Sequence, residues 1–209
     1  MKIIVVVDYE MGNLGSIVNM LKKIGAKSQV TSDKDLILSA DKLILPGVGA
    51  FDNGMMKLHD LGLTGILEQA VIVQRKPVLG ICLGAQLMTK GSEEGRCPGL
   101  GWLDITTRRF RFAPERPLKI PHMGWNLVMP TKQSRLFHDM PDPARFYFVH
   151  SYYMECNDLD DQLTQTDYGF SFASSYERGN ISGVQFHPEK SHKYGIRLMR
   201  NFVETFGNA

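Results

Sequence analysis

A cysteine between two glycines is the strongest candidate nucleophile in the chain. Residues 77–86 comprise a short apolar run, the pattern Gly80-x-Cys82-x-Gly84 and the start of a helical pattern. A nucleophile elbow has this strand–turn–helix layout, with its reactive residue on a strained turn. We expect the glycines to relieve crowding, the following helix to favour a reactive thiolate, and the amide of Leu83 to serve as an oxyanion donor. The alternative is a structural cysteine packed between glycines.

A histidine at the end of an apolar run supplies the base that such a cysteine needs. His187 follows the run 181–186 and precedes Pro188 and Glu189. Because proline fixes φ at about −65°, we expect the segment to stay extended, so that Glu189 reaches the imidazole two residues earlier. A carboxylate there would orient the ring and stabilise the imidazolium. The spacing predicts a Cys82–His187–Glu189 triad.

A glycine-rich turn at 46–51 follows the apolar run 42–45. Asp52 stands where a dinucleotide fingerprint needs its third glycine, and the Gly-Lys-Ser/Thr of a phosphate loop is absent. A mobile turn that lends a backbone N–H to the site at Cys82 is the better interpretation. It would lie at the sheet edge where open α/β folds bind their ligands.

Two further candidates lie close to Cys82 in sequence. Gln86 follows it by four residues and so occupies the same helix face. Glu93 and Glu94 lie one loop later and could receive an ammonium group, although acidic loop residues are usually only solvated.

Composition narrows the remaining function classes. The chain has 209 residues, of which 43% are hydrophobic and 22% charged, as in an ordinary globular domain rather than a disordered protein. The net charge of +2 argues against a dedicated nucleic-acid binder and against a membrane-surface protein. No apolar run approaches the ~18 residues of a spanning helix or forms a signal-peptide core, so we expect a cytosolic protein. Three cysteines without a Cys-x-x-Cys motif indicate neither a disulfide framework nor a zinc site.

Alternating strand and helix patterns in the first 90 residues predict βαβ units and a mainly parallel sheet. The predicted strands there are 3–7, 42–45 and 78–81, and the predicted helices are 14–24, 64–74 and 84–90. From about Gly101, strand patterns without long helices predict antiparallel pairing. These are 102–107, 126–129, 146–153, 162–166, 170–176 and 181–186, followed by a final amphipathic helix. We predict one α/β domain over residues 1–209.

A locally basic stretch at 108–119 carries four arginines and one lysine against one glutamate. One interpretation of this charge is a solvated loop or hairpin edge. A contact with a protein partner or a phosphate is the other interpretation, and the sequence leaves both open.

Together, the motifs at 80–86 and 185–189 resemble the class I glutamine amidotransferases, which use a Cys–His–Glu triad. Further motifs at 8–14, 46–51, 121–126 and 187–191 are similar to the glutaminase subunits of imidazole glycerol phosphate synthases. The resemblance runs from about residue 3 to residue 206. It implies a flavodoxin-like domain with helices on both sheet faces, L-glutamine as substrate and no metal or organic cofactor. It also implies a heterodimer with a (β/α)₈ cyclase subunit that uses the ammonia in histidine biosynthesis.

The resemblance also implies individual roles. Cys82 would be the nucleophile, His187 the general acid and base, and Glu189 its orienting group. The amides of Leu83 and Val48 would form the oxyanion hole, the second after a peptide flip. The residues implied to hold glutamine are Gly49, Gln86, Glu94, His150, Ser151 and Tyr152, and those implied to face the cyclase are Asn13, Met123, Trp125 and Lys190.

Three alternatives to this function remain, and the first changes only the acceptor of the ammonia. Residues 191–195 also resemble a paralogous subgroup that supplies ammonia for amidation of a surface-polysaccharide sugar. A stand-alone cysteine γ-glutamyl hydrolase on the same scaffold is another alternative, which the motif at 121–126 speaks against. A degenerate regulatory subunit would need a broken triad, and all three members are present.

Overall fold

The computed structural model describes residues 3–115 and 117–207. Arg116 of the basic stretch and the outermost residues of the predicted domain lie outside the described residues. The first half contains β1 (Ile3–Val7), α1 (Leu14–Lys23), β2 (Lys27–Thr31), α2 (Lys34–Ser39), β3 (Lys42–Leu45), α3 (Phe51–Asp60), α4 (Thr64–Glu68), β4 (Val78–Ile81) and α5 (Leu83–Leu87). The described part of the chain contains no helix long and apolar enough to cross a membrane.

The second half is dominated by strands. They are β5 (Gly91–Ser92), β6 (Ile105–Arg109), β7 (His122–Leu127), β8 (Met129–Pro130), β9 (Arg145–His150), β10 (Tyr152–Cys156), β11 (Gln162–Asp167), β12 (Ser171–Arg178) and β13 (Ile181–Val184). The last helix is α6 (His192–Glu204).

The main sheet is mixed, as predicted. Its strand order is β2-β1-β3-β4-β13-β12-β10-β6-β5, and β11 with β8 extends it beside β12. The strands from β2 to β13 run parallel, and from β13 onward through β12, β10 and β6 the pairing is antiparallel. A separate antiparallel pair is formed by β7 and β9. The carboxyl ends of β3, β4 and β13 therefore lie side by side, which is where the candidate chemistry falls.

Helices cover both faces of the parallel half. In β1, Ile4 and Val6 pack into the cluster that contains the apolar residues of α1 and α6. Val5 and Val7 point the other way, into the cluster formed with α2, α3 and α4. Because both faces of the sheet are buried, the central strands are continuous apolar runs, the pattern that identifies them in the sequence.

Four elements lie outside those predicted from the sequence: β2, α2, α3 and the two-residue strand β5. β2 is a half-exposed edge strand of mostly polar residues, so it lacks the apolar run used to recognise the others. The buried face of α3 consists of Phe51, Gly54 and Leu58, and the glycine hides the helical period. A Cβ on Gly54 would lie 3.1 Å from the Leu87 side chain, so glycine allows α3 to pack closely on α5.

The single strand predicted at 146–153 is wrong, because two strands occupy this segment. β9 ends at His150 and pairs with β7, whereas β10 begins at Tyr152 and joins the main sheet. The carbonyl of Ser151 accepts a hydrogen bond from the Phe110 N–H at 3.2 Å, where the chain passes between the two sheets. The single strand predicted at 126–129 is also wrong, because β7 ends at Leu127 and pairs with β9, whereas β8 begins at Met129 and pairs with β11. Other differences are boundaries: 64–74 is α4 followed by a π-helical turn at Gln69–Val73, α5 ends at Leu87, and β6 begins at Ile105.

Candidate active site

Cys82 lies on a strained turn between β4 and α5. Its backbone has φ +52° and ψ −112°, a left-handed conformation that is costly for any residue with a Cβ. The strain is held by packing: a Cβ on Gly84 would lie 1.8 Å from the Leu45 carbonyl oxygen, and one on Gly80 would lie 2.7 Å from the Ala85 Cα. The glycines are therefore required for close approach of β3 and α5 to the elbow.

His187 and Glu189 form a buried pair beside the elbow. The His187 Nδ1 lies 2.7 Å from Glu189 Oε1, and both side chains are almost completely buried. The expected extended conformation is wrong, because Pro188–Lys190 forms a 3₁₀ turn with Pro188 in its first position. Proline is favoured there, since its φ suits a helical turn and its missing N–H is not needed. The turn still directs the Glu189 carboxylate to the ring.

The electrostatics favour a charged imidazole. Burial by itself would lower the pKa of His187, but the interactions with Cys82 and Glu189 outweigh it and raise the pKa to about 10. Within the described part of the chain, Nε2 of His187 makes no hydrogen bond of ordinary geometry, although Cys82 influences its charge. Cys82 raises the pKa of His187 through hydrogen bonding as well as through charge, so the two groups are direct neighbours whose atoms lie just outside ordinary hydrogen-bond geometry. The imidazole nitrogen on the cysteine side is therefore available to a substrate.

The turn after β3 packs directly against the elbow. A Cβ on Gly47 would lie 2.8 Å from the Gly84 nitrogen and 2.9 Å from the Leu83 Cβ, so only glycine fits there. The buried Tyr9 hydroxyl anchors the turn by donating to the Pro46 carbonyl at 2.5 Å. Gly49 has φ +113°, a conformation available to glycine. The Gly47–Val48 peptide thus lies next to Cys82 and Leu83, as an oxyanion donor must.

A cavity of about 340 Å³ opens at Cys82 and His187. All the residues suggested to bind glutamine lie in its lining, whereas Glu189 lies behind His187. The lining consists of Val48, Gly49, Cys82, Leu83, Gln86, Glu94, Pro121, Val149, His150, Ser151, Tyr152, His187 and Lys190. Of these, Pro121 and Val149 are not among the residues singled out from the sequence.

Gln185 contacts the Cys82 sulfur and has no role assigned from the sequence. Its Nε2 donates to the Cys82 Sγ at 3.7 Å, and its Oε1 accepts from the Gln86 Nε2 at 2.9 Å. Gln86 also donates to the Tyr152 carbonyl at 3.5 Å. Two buried amides therefore connect the sulfur to the far wall of the cavity. In the sequence, Gln185 could be recognised as a site residue because it precedes His187 by two positions, and residues two apart in an extended segment face the same side.

Glu94 connects the cavity to the glycine-rich turn at 46–51. Its Oε2 accepts a hydrogen bond from the Phe51 N–H at 2.9 Å, at the start of α3. In return, the Asp52 carboxylate accepts from the N–H groups of Arg96 and Cys97 at 2.9–3.0 Å. These bonds lower the pKa of Asp52. The loop that carries Glu94 and the turn at 46–50 are thus held together.

Comparison with known proteins identifies this arrangement. The family model for glutamine amidotransferase class-I matches residues 5–206. The chain belongs to the class-I glutamine amidotransferases.

Individual amidotransferases narrow the assignment. The chain is 50% identical over 201 residues to imidazole glycerol phosphate synthase subunit HisH 2 of Pseudomonas aeruginosa, covering 96% of this chain and 98% of that protein. The same identity and coverage apply to subunit HisH 2 of Methanococcus maripaludis. Identity to subunit HisH of Bdellovibrio bacteriovorus is 44% over 200 residues, covering 95% and 98%. This amidotransferase is therefore of the HisH type, the glutaminase subunit of imidazole glycerol phosphate synthase.

Solved amidotransferase structures share the fold at lower identity. A putative GMP synthase protein from Thermoplasma acidophilum aligns with a TM-score of 0.72 at 22% identity, covering 97% of this chain and 92% of that one. A glutamine amidotransferase from Thermotoga maritima aligns with a TM-score of 0.72 at 15% identity, covering 100% and 99%. At these identities the likeness concerns the fold, and it confirms the predicted α/β architecture.

The other two cysteines of this amidotransferase lack the setting of Cys82. All three are free thiols. Burial raises the pKa of Cys156 to about 12, and it also raises the pKa of Cys97. Neither residue lines the cavity.

Ion pairs account for much of the basic stretch. Arg108 pairs with Glu155 at 2.9 Å and with Glu93 at 3.4 Å, and Arg111 pairs with Glu93 at 3.0 Å. These contacts lower the pKa of Glu93, for which a hydrogen bond from the Arg109 N–H is the largest cause. Glu93 therefore organises the arginines, while Glu94 alone faces the cavity.

Of the residues suggested to face the cyclase, Lys190 lines the cavity, and Met123 and Trp125 lie on β7. Met123 and Trp125 are 62% and 41% exposed on the outer face of β7. Trp125 stacks on His192 with ring centroids 5.5 Å apart, and the Lys190 Nζ lies 5.7 Å from the centre of the Tyr147 ring. Tyr147 in turn contacts Trp125 at 6.4 Å. These side chains form one continuous surface.

Asn13 lies on the α1 side of this surface. It is exposed at the start of α1, and its Oδ1 accepts from the Ser16 N–H at 3.4 Å, so it also caps the helix. Ser16 and Lys190 line one groove, which connects the start of α1 to the cavity mouth.

Proposed function

We propose that the chain hydrolyses L-glutamine at Cys82 and passes the ammonia directly to a (β/α)₈ cyclase subunit in a cytosolic heterodimer. Its relatives are named as subunits of imidazole glycerol phosphate synthase, which supports a synthase partner and a role in histidine biosynthesis. Residues 1–209 would form a single amidotransferase domain. Free ammonia in water would be protonated and lost, which is why the two subunits must be joined.

The observation that carries this proposal is the strained Cys82 at the mouth of a cavity, beside the buried His187–Glu189 pair. The Cys82 sulfur attacks the side-chain carbonyl carbon of glutamine and forms a tetrahedral intermediate. The His187 imidazolium then gives its Nε2 proton to the leaving nitrogen, and ammonia departs from the glutamyl thioester. Glu189 stabilises the charged ring before this transfer.

Hydrolysis of the thioester uses the same groups in reverse. His187, now neutral, takes a proton from a water molecule, which attacks the thioester carbonyl. The second tetrahedral intermediate collapses, glutamate is released and the Cys82 thiolate returns. Glu94 is the partner we assign to the glutamine ammonium group, while the 151–152 segment lines the opposite wall.

The oxyanion of both intermediates would be held by the amides of Leu83 and Val48. Each such donor contributes about 3 kcal/mol to lowering the barrier. We propose that the Gly47–Val48 peptide rests with its carbonyl toward Cys82 and flips when the partner binds its own substrate. The close packing of Gly47 on the elbow supports this location for the switch.

Replacement of the nucleophile tests the division of labour. We expect Cys82→Ala to abolish glutamine-dependent synthesis in the complex and to leave synthesis from ammonium salts unchanged. Cys156→Ala replaces a partly buried cysteine away from the cavity; it is the matched control and should retain glutamine-dependent activity. Loss of the ammonia-driven reaction in Cys82→Ala, with the complex intact, would contradict the proposal.

A second candidate differs only in the acceptor of ammonia. His192, in the segment that resembles the sugar-amidating paralogs, stacks on Trp125 at the surface assigned to the partner. Reconstitution with an imidazole-forming cyclase and with a sugar amidase distinguishes the two, since only the true partner should stimulate glutamine hydrolysis.

A further inference from the structure

Two buried histidines lie in hydrogen-bond contact behind the glutamine cavity. The His122 Nδ1 is 2.9 Å from the His150 Nε2, across the paired strands β7 and β9. The His150 Nδ1 is 2.7 Å from the Tyr152 carbonyl oxygen. On the other side, the Asn126 Nδ2 is 3.2 Å from the His122 Nε2. The mechanism above uses none of these contacts.

The chain of contacts allows one placement of the protons. A carbonyl oxygen can only accept, so the His150 Nδ1 carries hydrogen and, in the neutral ring, Nε2 accepts. His122 must then donate from Nδ1 and accept at Nε2. The Asn126 amide agrees with this direction, because its Nδ2 also donates to the Asp167 carbonyl at 2.9 Å and its Oδ1 accepts from the Leu127 N–H at 2.8 Å.

Both rings are kept neutral and fixed in place. Burial lowers the pKa of His150 to about 3 and that of His122 to about 4. His122 is also stacked between Tyr168, at 4.0 Å between ring centroids, and Phe148, at 4.8 Å. The pair is therefore a rigid, directional connection rather than a group that titrates near neutral pH.

The chain of hydrogen bonds reaches the wall of the cavity at His150 and Tyr152. His150 and Tyr152 both line it, and the Tyr152 carbonyl accepts from His150 and from Gln86. His122 lies one residue from Met123 on β7, so the same strand presents His122 inward and Met123 outward to solvent. A residue that never contacts the triad is thus placed to set the position of the backbone that binds glutamine.

We propose that His122 is a positioning residue for glutamine binding, which acts through His150 to hold the Ser151–Tyr152 backbone in place. The inference rests on the proposed function of the cavity. It assigns a role to a strand whose outer face is the surface attributed to the partner. The effect should fall mainly on glutamine affinity, because His122 is one hydrogen bond from the His150 ring in the cavity wall, whereas the chain of hydrogen bonds reaches Cys82 only through Tyr152, Gln86 and Gln185.

Three variants of the reconstituted complex test the proposal. His122→Phe keeps an aromatic ring in the stack but removes the donor to His150, and we expect the KM for glutamine to rise by about 10-fold with a much smaller change in kcat. His122→Asn places an amide donor near the former Nδ1 and should restore most of the KM. His122→Gln places its amide near the former Nε2 and should behave like His122→Phe. Equal KM values in all three variants and the wild type would overturn the proposal.

The proton positions give a readout that does not depend on activity or on any variant. Nitrogen-15 spectra of the wild-type complex should show both His122 and His150 with hydrogen on Nδ1 and with Nε2 unprotonated. An Nε2–H tautomer at His150 would overturn the inference, since that ring could not donate to Tyr152.

Failure of this inference can be distinguished from failure of the proposed function. If the function is wrong, the wild-type complex will show no glutamine-dependent synthesis. If only the inference is wrong, the wild type will be active and His122→Phe will lower thermal stability with an unchanged KM.

Discussion

Gln185 donates an amide N–H to the sulfur of Cys82, the proposed nucleophile, and this contact predicts a role in activating it. In Gln185→Glu, a carboxylate can still accept from Gln86 but cannot donate to Cys82, and its charge opposes the thiolate. We expect kcat for glutamine hydrolysis in the complex to fall by roughly 10- to 100-fold, the effect of losing one hydrogen bond to a charged group. Gln165→Glu on β11 is the control, because Gln165 lies outside the cavity. A wild-type kcat in Gln185→Glu would show that the 3.7 Å contact has no functional role.

Glu189 should set the alkaline limit of the reaction. In the proposed mechanism His187 must be protonated to release ammonia, and its pKa of about 10 keeps it so at neutral pH. In Glu189→Gln the charge that favours the imidazolium is lost, so the pKa falls and the alkaline limb of kcat/KM moves to lower pH. The variant should retain more activity than His187→Asn, which lacks the acid altogether.

The measurement is a pH–rate profile of the complex from neutral pH to about pH 11. Glu68→Gln, on the exposed side of α4, provides the control and should reproduce the wild-type profile. An unchanged alkaline limb in Glu189→Gln would mean that the carboxylate does not stabilise the charged ring.

At the scale of the elements, the elbow depends on the absence of a side chain at Gly84. In Gly84→Ala the new methyl group would meet the Leu45 carbonyl at 1.8 Å, so β3 and α5 must separate. We expect a loss of about 1–3 kcal/mol in the free energy of unfolding, together with reduced activity. Gly65→Ala in α4 is the matched control: no atom lies within 4 Å, and helix propensity alone should add about 0.5–1 kcal/mol. Urea unfolding of both variants checks the contrast, which would fail if they were equally stable.

The strands that lead to Cys82 and His187 were predictable because each can be recognised from a short stretch of sequence. β4 is a fully buried strand that leads directly into the glycines of the elbow, and β13 leads into His187 in the same way. β2 was not predictable on the same grounds, since an exposed edge strand needs no apolar run. The change of sheets at Ser151 was missed because the apolar pattern continues from β9 into β10.

The site residues divide in the same way, into those that short motifs reveal and those that only the folded chain brings together. Cys82, His187 and Glu189 lie in short motifs whose residue types indicate chemistry. The His122–His150 contact joins residues 28 positions apart and appears only when β7 and β9 pair. Gln185 lies inside a recognised motif, but its contact with Cys82 requires β4 and β13 to be neighbours.

For the whole molecule, the main expectation concerns control by the partner. If the Val48 amide completes the oxyanion hole only in the active complex, the isolated chain lacks one donor. Loss of one such donor costs roughly 100- to 1,000-fold in rate. We therefore expect glutamine hydrolysis to be slower by this factor in the isolated chain than in the complex with its acceptor substrate bound. Equal turnover in the two would favour the stand-alone hydrolase instead.

The alternation of β7 has a consequence for protein engineering. Met123, Trp125 and Leu127 point to solvent, while His122 and Asn126 lie on the opposite face and contact each other. Partner preference could therefore be redesigned at the odd-numbered positions without rewriting the substrate site. Deletion of a single residue from the strand would exchange the two sets, since successive side chains of a strand alternate between faces. Such a deletion would place the histidine on the surface attributed to the partner and an apolar side chain behind the glutamine cavity.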